Sequence, residues 1–343
     1  MRITTKKFRK MYYSVKRNLK RDVFKKASGD LTFGICIFNR FTISDKKLQV
    51  MGDELQARAI AREVMEHCPQ IKQCRIYDIK EAGKIKDDII FNMWAEYPAV
   101  KKRSNSQKTV MWLQNAGFKD RAKEFVDSYD YVFSPSKKIC EEFDGFNYLP
   151  MACEDTEIFR KAAPEEQLKT EVCFVGNYNE YQRPLHLQEQ FILPAAKYNF
   201  GLWGSNWDMS PFASIRDSAR GRLEPHDIPK AYSSADIVLS NHWLAHRDEE
   251  MVTTRIFEAL ACEAFVISDY FGALDEFKDY IVFTSGGKDL EDKIADYAAN
   301  PQKRAQKTRG AREFILKNHT FKNRVKTIAG AIGLTFNSKE ALT

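Results

Sequence analysis

The stretch from Glu250 to Glu258 combines residue types that could hold a phosphorylated ligand. A helix is predicted to begin near Thr254, so its free N–H groups and the hydroxyls of Thr253 and Thr254 could receive a phosphate. Arg255 could neutralise the phosphate, and Glu258, one turn further, could accept hydrogen bonds from two ribose hydroxyls. Ordinary helix chemistry gives the same pattern, with Thr253 as the cap and Arg255 paired with Glu258. The spacing alone leaves both interpretations open.

A second candidate site follows a predicted buried strand that ends in Gly176-Asn177. A polar loop then leads to Arg183, and Pro184 suits the first position of a helix. A helix N-terminus binds anions, and Arg183 could contact a diphosphate. The loop has a single glycine and therefore matches neither the dinucleotide fingerprint nor the P-loop. Taken alone, the residues are more simply explained as a tight strand-to-helix turn with a surface arginine.

Two imidazoles stand four residues apart in His242-Trp-Leu-Ala-His246. This spacing is found in metal sites, but no third ligand is evident nearby. We therefore predict no metal site and interpret the histidines as polar residues of a cleft, where His242 or His246 contacts a sugar.

Apolar runs alternate with helical periodicity along the chain and predict the elements that position these residues. Strands are predicted at 31–38, 74–78, 88–94, 109–113, 129–134 and 147–150, then at 172–176, 198–204, 235–240, 264–269 and 280–284. Helices are predicted at 52–67, 184–197, 228–234, 254–262, 289–299 and 301–333, the last with a break near residues 318–320, where Thr320 could cap the final helix. The fold class is thus α/β, with two doubly wound, Rossmann-like domains that face a central cleft.

The predicted boundaries divide the chain into four parts. A polar segment with Pro164, residues 154–170, is the expected linker. The parts are a basic N-terminal segment (1–30), a first domain (31–155), a second domain (156–320), and a C-terminal helix and tail (321–343).

Composition narrows the class of protein. A length of 343 residues fits about two domains, and 43% hydrophobic with 29% charged residues is ordinary globular usage. No apolar run approaches the ~18 residues of a transmembrane helix, and no signal peptide is recognised, so we expect a cytoplasmic location. Seven cysteines without a C-x-x-C pair favour neither a disulfide framework nor a zinc site.

The net charge of +7 is concentrated at the start of the chain. Residues 1–30 contain 11 basic and 2 acidic residues, which leaves 43 basic and 45 acidic residues elsewhere, so a nucleic-acid partner is not indicated. Apolar residues recur in the basic segment at spacings of three and four: Phe8, Tyr12, Val15, Leu19 and Val23. This pattern predicts a basic amphipathic helix. Residues 1–28 could lie on the anionic inner face of the cell membrane, or could pack on the protein's own core.

A family resemblance emerges from the second half of the chain. The run Arg255-Ile-Phe-Glu-Ala-Leu-Ala-Cys262, followed by Ala264-Phe-Val-Ile-Ser-Asp269, resembles the core signature of GT-B glycosyltransferases of the family 4 type, most closely the branch named after the spore protein CgeB. Further segments that fit are Phe174-Val-Gly-Asn177 with Arg183, Ser233–Leu239, Ala273–Phe277, Asn300-Pro301, and His319-Thr320 with Arg324. In the first half only the order of the elements fits.

The resemblance implies a nucleotide-diphosphate-sugar donor on the second domain and an acceptor on the first. Glu258 matches the family's ribose-binding glutamate, and Glu250 matches the glutamate near the donor sugar. Arg183 would steady the diphosphate leaving group. Family members retain the anomeric configuration and use no divalent metal, so positive side chains and helix dipoles would stabilise the developing charge. No cofactor is expected besides the donor itself.

Departures from the family pattern affect individual assignments. Glu263 stands where glycine is usual, no Gly-Phe-Gly follows Glu250, and no lysine follows Arg183. Glu249 is therefore an alternative to Glu250 for the contact with the donor sugar.

The resemblance also suggests contacts for the base and the acceptor. The turn Gly221–His226 lies where this fold reads the nucleotide base, so we expect His226 there. On the acceptor side we expect Asn39, Arg40, Trp112, Gln114 and Asn115. Trp112 suits stacking on a sugar, and Gln114 suits hydrogen bonding to one. A role in filling the core explains Trp112 at least as well.

Together these features predict a glycosyltransferase, cytoplasmic or peripheral on the inner membrane face. It would move a sugar from a nucleotide-diphosphate donor to a glycan, lipid-linked glycan or protein acceptor, with retention. One alternative is an inverting, fucosyltransferase-like enzyme of similar fold. The other is a non-catalytic glycan-binding or assembly protein.

Overall fold

The computed structural model describes residues 23–38, 52–93, 100–154 and 158–338. Within these ranges, none of the helices has the length and apolarity needed to cross a membrane. Asn39, Arg40 and residues 1–22 of the basic segment lie outside the described residues.

The first sheet has seven strands in the order β1-β3-β2-β4-β5-β6-β7. All neighbouring strands are parallel except the edge pair β1 and β3. Because its inner strands are covered on both faces, they read as continuous apolar runs. The strands are β1 (Val23–Lys25), β2 (Leu31–Ile37), β3 (Ile71–Asp78), β4 (Ile89–Asn92), β5 (Lys108–Trp112), β6 (Tyr131–Ser134) and β7 (Phe146–Tyr148).

Strand β1 corrects the prediction for the end of the basic segment. Val23 was expected on the apolar face of a helix, but it begins an edge strand that pairs antiparallel with β3, opposite Arg75. The unpaired edge of β3 offers backbone hydrogen bonds that a short β-branched and aromatic segment readily takes up. Lys26, directly after the strand, donates from Nζ to the carbonyls of Met65 and Cys68.

The second sheet has five parallel strands in the order β12-β11-β10-β8-β9. The chain passes from β8 to β9 on one side and returns to β10 on the other, so a topological switch point lies between β8 and β10. Open parallel sheets bind ligands at this point, beyond the carboxyl ends of the strands. The strands are β8 (Thr170–Val175), β9 (Phe200–Trp203), β10 (Ala235–Ser240), β11 (Val266–Ser268) and β12 (Ile281–Phe283).

Twelve α-helices connect these strands within the described residues. In the first half they are α1 (Asp53–His67), α2 (Lys119–Lys123) and α3 (Lys137–Glu142). In the second half they are α4 (Leu185–Phe191), α5 (Ala213–Ser218), α6 (Ile228–Ser234), α7 (Leu244–Asp248), α8 (Thr254–Ala261), α9 (Gly287–Ala299), α10 (Pro301–Thr308), α11 (Ala311–Asn318) and α12 (Phe321–Ile332). The two parallel sheets confirm the predicted fold class.

The predicted break near residue 318 is confirmed, and Thr320 caps the final helix. Its hydroxyl accepts from the Asn323 N–H, and the Asn323 side chain accepts from the Thr320 N–H. This reciprocal pair satisfies two of the N–H groups that a helix N-terminus leaves free.

The chain passes between the two sheets at two places that lie side by side. Cys153 donates its N–H to the carbonyl of His319 at 2.9 Å. The buried Arg324 then donates to the carbonyls of Pro150, Met151 and Asn318, at 2.6–3.0 Å. Helix α12 continues onto the first half of the chain, where it packs against α1. Arg324 thus fastens both crossing segments together.

Candidate functional site

The end of β8 is held rigidly against the end of β9. Gly176 donates its N–H to the carbonyl of Trp203 at 2.8 Å and accepts from Trp207 Nε1 at 2.7 Å. The Asn177 side chain accepts from the Ser205 N–H at 2.9 Å. The strand end at the switch point is therefore fixed before any ligand binds.

Two arginines lie against the ring of Phe174 beneath this strand end. The guanidinium carbon of Arg255 lies 4.4 Å from the ring centroid, and that of Arg183 lies 5.0 Å from it. Arg255 donates from Nε to the carbonyl of Val175 at 2.7 Å. A Cβ at position 176 would overlap Nη2 of Arg255, so only glycine leaves room for this guanidinium.

Arg183 is buried, 2% exposed, which contradicts its simpler explanation as a surface residue. It donates to both the backbone and the side-chain oxygen of Asn241 at the end of β10. Burial lowers the pKa of Arg183, and the nearby Arg255 lowers it further. Two cations held close together in a poorly solvated place create a strongly positive potential at the strand ends.

Asp269 balances part of this charge at the end of β11. It accepts from Arg247 at 2.6 Å and is 2.7 Å from Nδ1 of His242. Burial alone would raise its pKa, but His242 and Arg247 hold the pKa of Asp269 below its usual range. His242 is therefore engaged by a carboxylate, and no cluster of three or more potential metal ligands exists among the described residues.

The cleft between the two halves contains several predicted residues. Its described lining includes Asn177, Thr253, Thr254, His246 and Trp243 from the second half, and Gln114, Asn115, Gln56 and Asp53 from the first. The structure thus brings predicted site residues from both halves of the chain together in one cleft. Gly176, Arg183, Arg255 and Glu258 are not among the residues of this lining.

Thr253 and His246 carry buried polar atoms without partners. Thr253 Oγ1 makes no hydrogen bond, so the prediction that Thr253 caps α8 through its side chain is wrong. Neither ring nitrogen of His246 has a partner, although this residue is only 8% exposed. Burial lowers the pKa of His246 to about 3, and the nearby His242, Arg183 and Arg255 lower it further. The ring is therefore neutral at physiological pH, with one nitrogen as donor and one as acceptor.

Glu258 lies one turn into α8, in a poorly solvated position. Burial raises its pKa to about 7, and Arg255 together with a hydrogen bond from Thr254 offsets part of this effect. A buried carboxylate whose partners offset only part of the burial penalty, so that it titrates near neutrality, is typical of a functional site.

Glu250 faces a different cavity from Thr253 and Thr254. It adopts a left-handed conformation, φ +52°, and lines a space shared with Gly272, Glu276 and Arg324. Glu249, the alternative, pairs with Lys119 of the first half at 2.8 Å. Neither Glu250 nor Glu249 therefore lines the cleft in this structure.

The first half supplies some of the residues expected on the acceptor side. Gln114 donates to Gln56 at 2.6 Å, and the Asn115 side chain accepts from the Gly117 N–H at 3.0 Å. Trp112 is wrong as an acceptor contact, because it is fully buried and donates from Nε1 to the carbonyl of Leu149. Its ring fills the core beside Phe91.

Three further residues singled out in the sequence lie outside the cleft lining. His226 is exposed in the turn before α6, and Gly221 accepts from the Gly204 N–H at 2.8 Å. Glu263 adopts φ +57° and pairs with the exposed Lys161 at 2.9 Å. The usual family glycine at position 263 would adopt this backbone conformation without strain.

Asp53 is a titratable cleft residue that the motifs did not identify. It begins α1, lines the cleft, and has its pKa raised to about 6 by burial, with a backbone hydrogen bond offsetting part of that rise. A signal did exist, since an acidic residue follows Gly52 at the start of the predicted helix. That signal has the same form as ordinary helix chemistry.

Comparison with known proteins supports the GT-B fold. Residues 183–330 match the model of a family described as glycosyl transferase-like. Sucrose-phosphate synthase from Thermosynechococcus elongatus has a TM-score of 0.63 at 12% identity, over 89% of this chain and 98% of that one. HepE from Anabaena, solved with UDP-glucose, has a TM-score of 0.63 at 12% identity, over 89% of this chain and all of the other.

The BGT protein of phage T4, solved in complex with its UDP-glucose substrate, is also similar in fold. Its TM-score is 0.60 at 12% identity, over 88% of this chain and 99% of that one. Comparison by sequence with curated proteins gives no match. The chain therefore has the α/β GT-B fold of two Rossmann-like domains, and the CgeB-like branch stays a prediction.

Proposed function

We propose that this GT-B protein is a glycosyltransferase that moves a sugar from a nucleotide-diphosphate donor to a hydroxyl of a glycan, lipid-linked glycan or protein. The donor would bind at the switch point of the second sheet, and the acceptor would bind on the side of the first. The glycosyl transferase-like family match over residues 183–330 supports this assignment.

The arrangement around α8 is the observation that carries the proposal. Its N-terminus offers free N–H groups and the unpartnered hydroxyl of Thr253 toward the cleft. Arg183 and Arg255 make this region positive, and Glu258 follows one turn later. A diphosphate needs the first two features, and a ribose diol needs the third.

The two arginines would act on the reaction mainly through the electrostatic field of their positive charges. Both guanidinium groups already donate to backbone carbonyls beneath the strand ends. Fixed positive charge in a poorly solvated site stabilises the charge that develops on a departing diphosphate. Because these groups are positioned before the reaction, they need no reorganisation when the charge appears.

The finer chemistry follows from the resemblance. It supports retention of the anomeric configuration, independence of a divalent metal, and Glu250 as the residue near the donor sugar, although Glu250 lines a different cavity in this structure. The inverting alternative is supported by one observation, a carboxylate on the acceptor side of the cleft, Asp53. Product anomericity separates the two.

Nucleotide binding tests the proposal directly. Calorimetric titration with UDP, GDP, ADP and CMP, with EDTA or with Mg²⁺, should give metal-independent binding of one nucleotide. Glu258→Ala should weaken that binding, whereas Glu313→Ala, a change at an exposed position of α11, should not. Release of the nucleotide from its sugar conjugate should follow the same pattern. The absence of binding by a folded wild type would refute the proposal.

A further inference from the structure

The cleft places one carboxylate and one imidazole on opposite walls. Asp53 belongs to the first half of the chain and His246 to the second, and both line the same cavity. They are the two titratable side chains among the described residues of its lining. No described lining residue is a lysine or an arginine.

The second wall presents an unpartnered polar side chain at this cavity. His246 is more than nine-tenths buried, yet both ring nitrogens lack a partner. An unsatisfied buried polar group is costly, so natural proteins leave one mainly where a ligand or water completes it. The donor and acceptor nitrogens of a neutral ring match a hydroxyl group, which also donates and accepts.

The remaining lining suits a sugar ring. Gln56 and Gln114 are fixed by their mutual hydrogen bond beside Asp53. Apolar side chains also line the cavity: Met93, Leu113, Phe118, Met151, Met251 and Trp243. Sites for neutral sugars combine polar groups for the hydroxyls with apolar groups for the C–H faces, whereas a phosphate placed beside Asp53, away from the α8 N-terminus, would meet a carboxylate.

We propose that Asp53 binds the acceptor, its carboxylate accepting a hydrogen bond from a hydroxyl of a neutral sugar while His246 contacts a hydroxyl from the opposite wall. The identification of this sugar as the acceptor rests on the proposed function. Asp53 thus selects acceptors whose reacting end is an uncharged sugar and rejects those that present a phosphate.

The test uses the full chain and the isosteric variant Asp53→Asn. Glu66→Gln, at an exposed position of the same helix, is the matched control. Binding of neutral methyl hexosides and of hexose 6-phosphates is measured by saturation-transfer NMR, with and without UDP. Donor hydrolysis without acceptor, and transfer to the hexosides, are measured on the same samples.

The expected result is at least a tenfold loss of hexoside binding, and an equal rise of the acceptor KM, in Asp53→Asn alone. The KM of the donor should stay within twofold of wild type in Asp53→Asn, and Glu66→Gln should leave both KM values and donor hydrolysis unchanged. Since burial lowers the pKa of His246 to about 3, only Asp53 should titrate in the cavity above pH 5. Acceptor binding by the wild type should therefore weaken below pH 6, and binding by Asp53→Asn should not change.

Three outcomes would overturn the inference. They are undiminished hexoside binding by Asp53→Asn, a wild type that prefers hexose phosphates or binds no hexoside, and a donor KM that rises with the acceptor KM. The last would assign Asp53 to the donor sugar. A wild type that binds hexosides through Asp53 but binds no nucleotide would refute the proposed function and leave standing only the neutral-sugar site at Asp53.

Discussion

Replacement of Glu258 by glutamine should make the free protein more stable and the nucleotide complex weaker. The pKa of Glu258 is raised from 4.5 to about 7 because burial penalises the charged form. Each pKa unit corresponds to about 1.4 kcal/mol, so the ionised carboxylate costs the folded state roughly 3 kcal/mol at pH 8. An uncharged amide of the same shape avoids this cost.

The direction of the stability change with pH follows from how tightly the folded and unfolded chains bind the proton. Below pH 4.5 the carboxyl is protonated in both the folded and the unfolded chain, so its ionisation costs nothing there. Between pH 4.5 and 7 the folded chain holds the proton more tightly, and the wild type loses stability as the pH rises. The advantage of Glu258→Gln should therefore grow from near zero at pH 4.5 to roughly 3 kcal/mol at pH 8.

Nucleotide binding should show the opposite effect. If ribose hydroxyls donate to an ionised Glu258, UDP must displace its proton at low pH. The affinity of the wild type should then fall about tenfold between pH 8 and pH 6, and that of Glu258→Gln should be lower but nearly constant.

Urea unfolding and UDP titration over pH 5–8 measure both effects, with Glu313→Gln as the control. A Glu258→Gln variant that is less stable than the wild type at pH 8, or that binds UDP with unchanged affinity, would refute the reasoning.

Three other substitutions test packing and backbone features described above. Gly176→Ala should displace the Arg255 guanidinium and lower nucleotide affinity at least tenfold with an unchanged circular dichroism spectrum; unchanged affinity would contradict the packing described. Glu263→Gly should relieve a left-handed backbone and, after the entropy of glycine is subtracted, stabilise the protein by about 0.5–1 kcal/mol in urea unfolding, whereas a loss of stability would contradict it. Arg324→Ala should remove the bonds that fasten both crossing segments and cost about 3 kcal/mol or more; a loss below 1 kcal/mol would show that α12 holds without them.

Local patterns predicted the fold, and they predicted which strand and helix ends lie close together. The strand ending at Gly176 and the helix beginning at Thr254 depend on short apolar runs and on residues that start or stop helices. Parallel sheets place such strand ends at one edge, so Asn177 and Thr253 meet in the structure as the sequence indicated.

The residues that were misjudged depend on distant contacts. Arg183 is buried because Asn241, on another strand, accepts its hydrogen bonds. Trp112 ends a strand that is covered on both faces, where period-two reading cannot separate a core ring from a cleft ring. Asp53 owes its raised pKa to burial in the folded chain. No local pattern encodes that burial.

The return of α12 to the first half of the chain affects how the protein folds during its synthesis. During synthesis, the strands of the first sheet emerge long before α12 and Arg324, which complete its contacts with α1 and with the Pro150 and Met151 carbonyls. Domains usually fold in order as they leave the ribosome. Here the first domain would wait with an apolar helix face uncovered until the second has been translated. We therefore expect chains stalled after residue 318 to bind chaperones, and complete ones to be released from them.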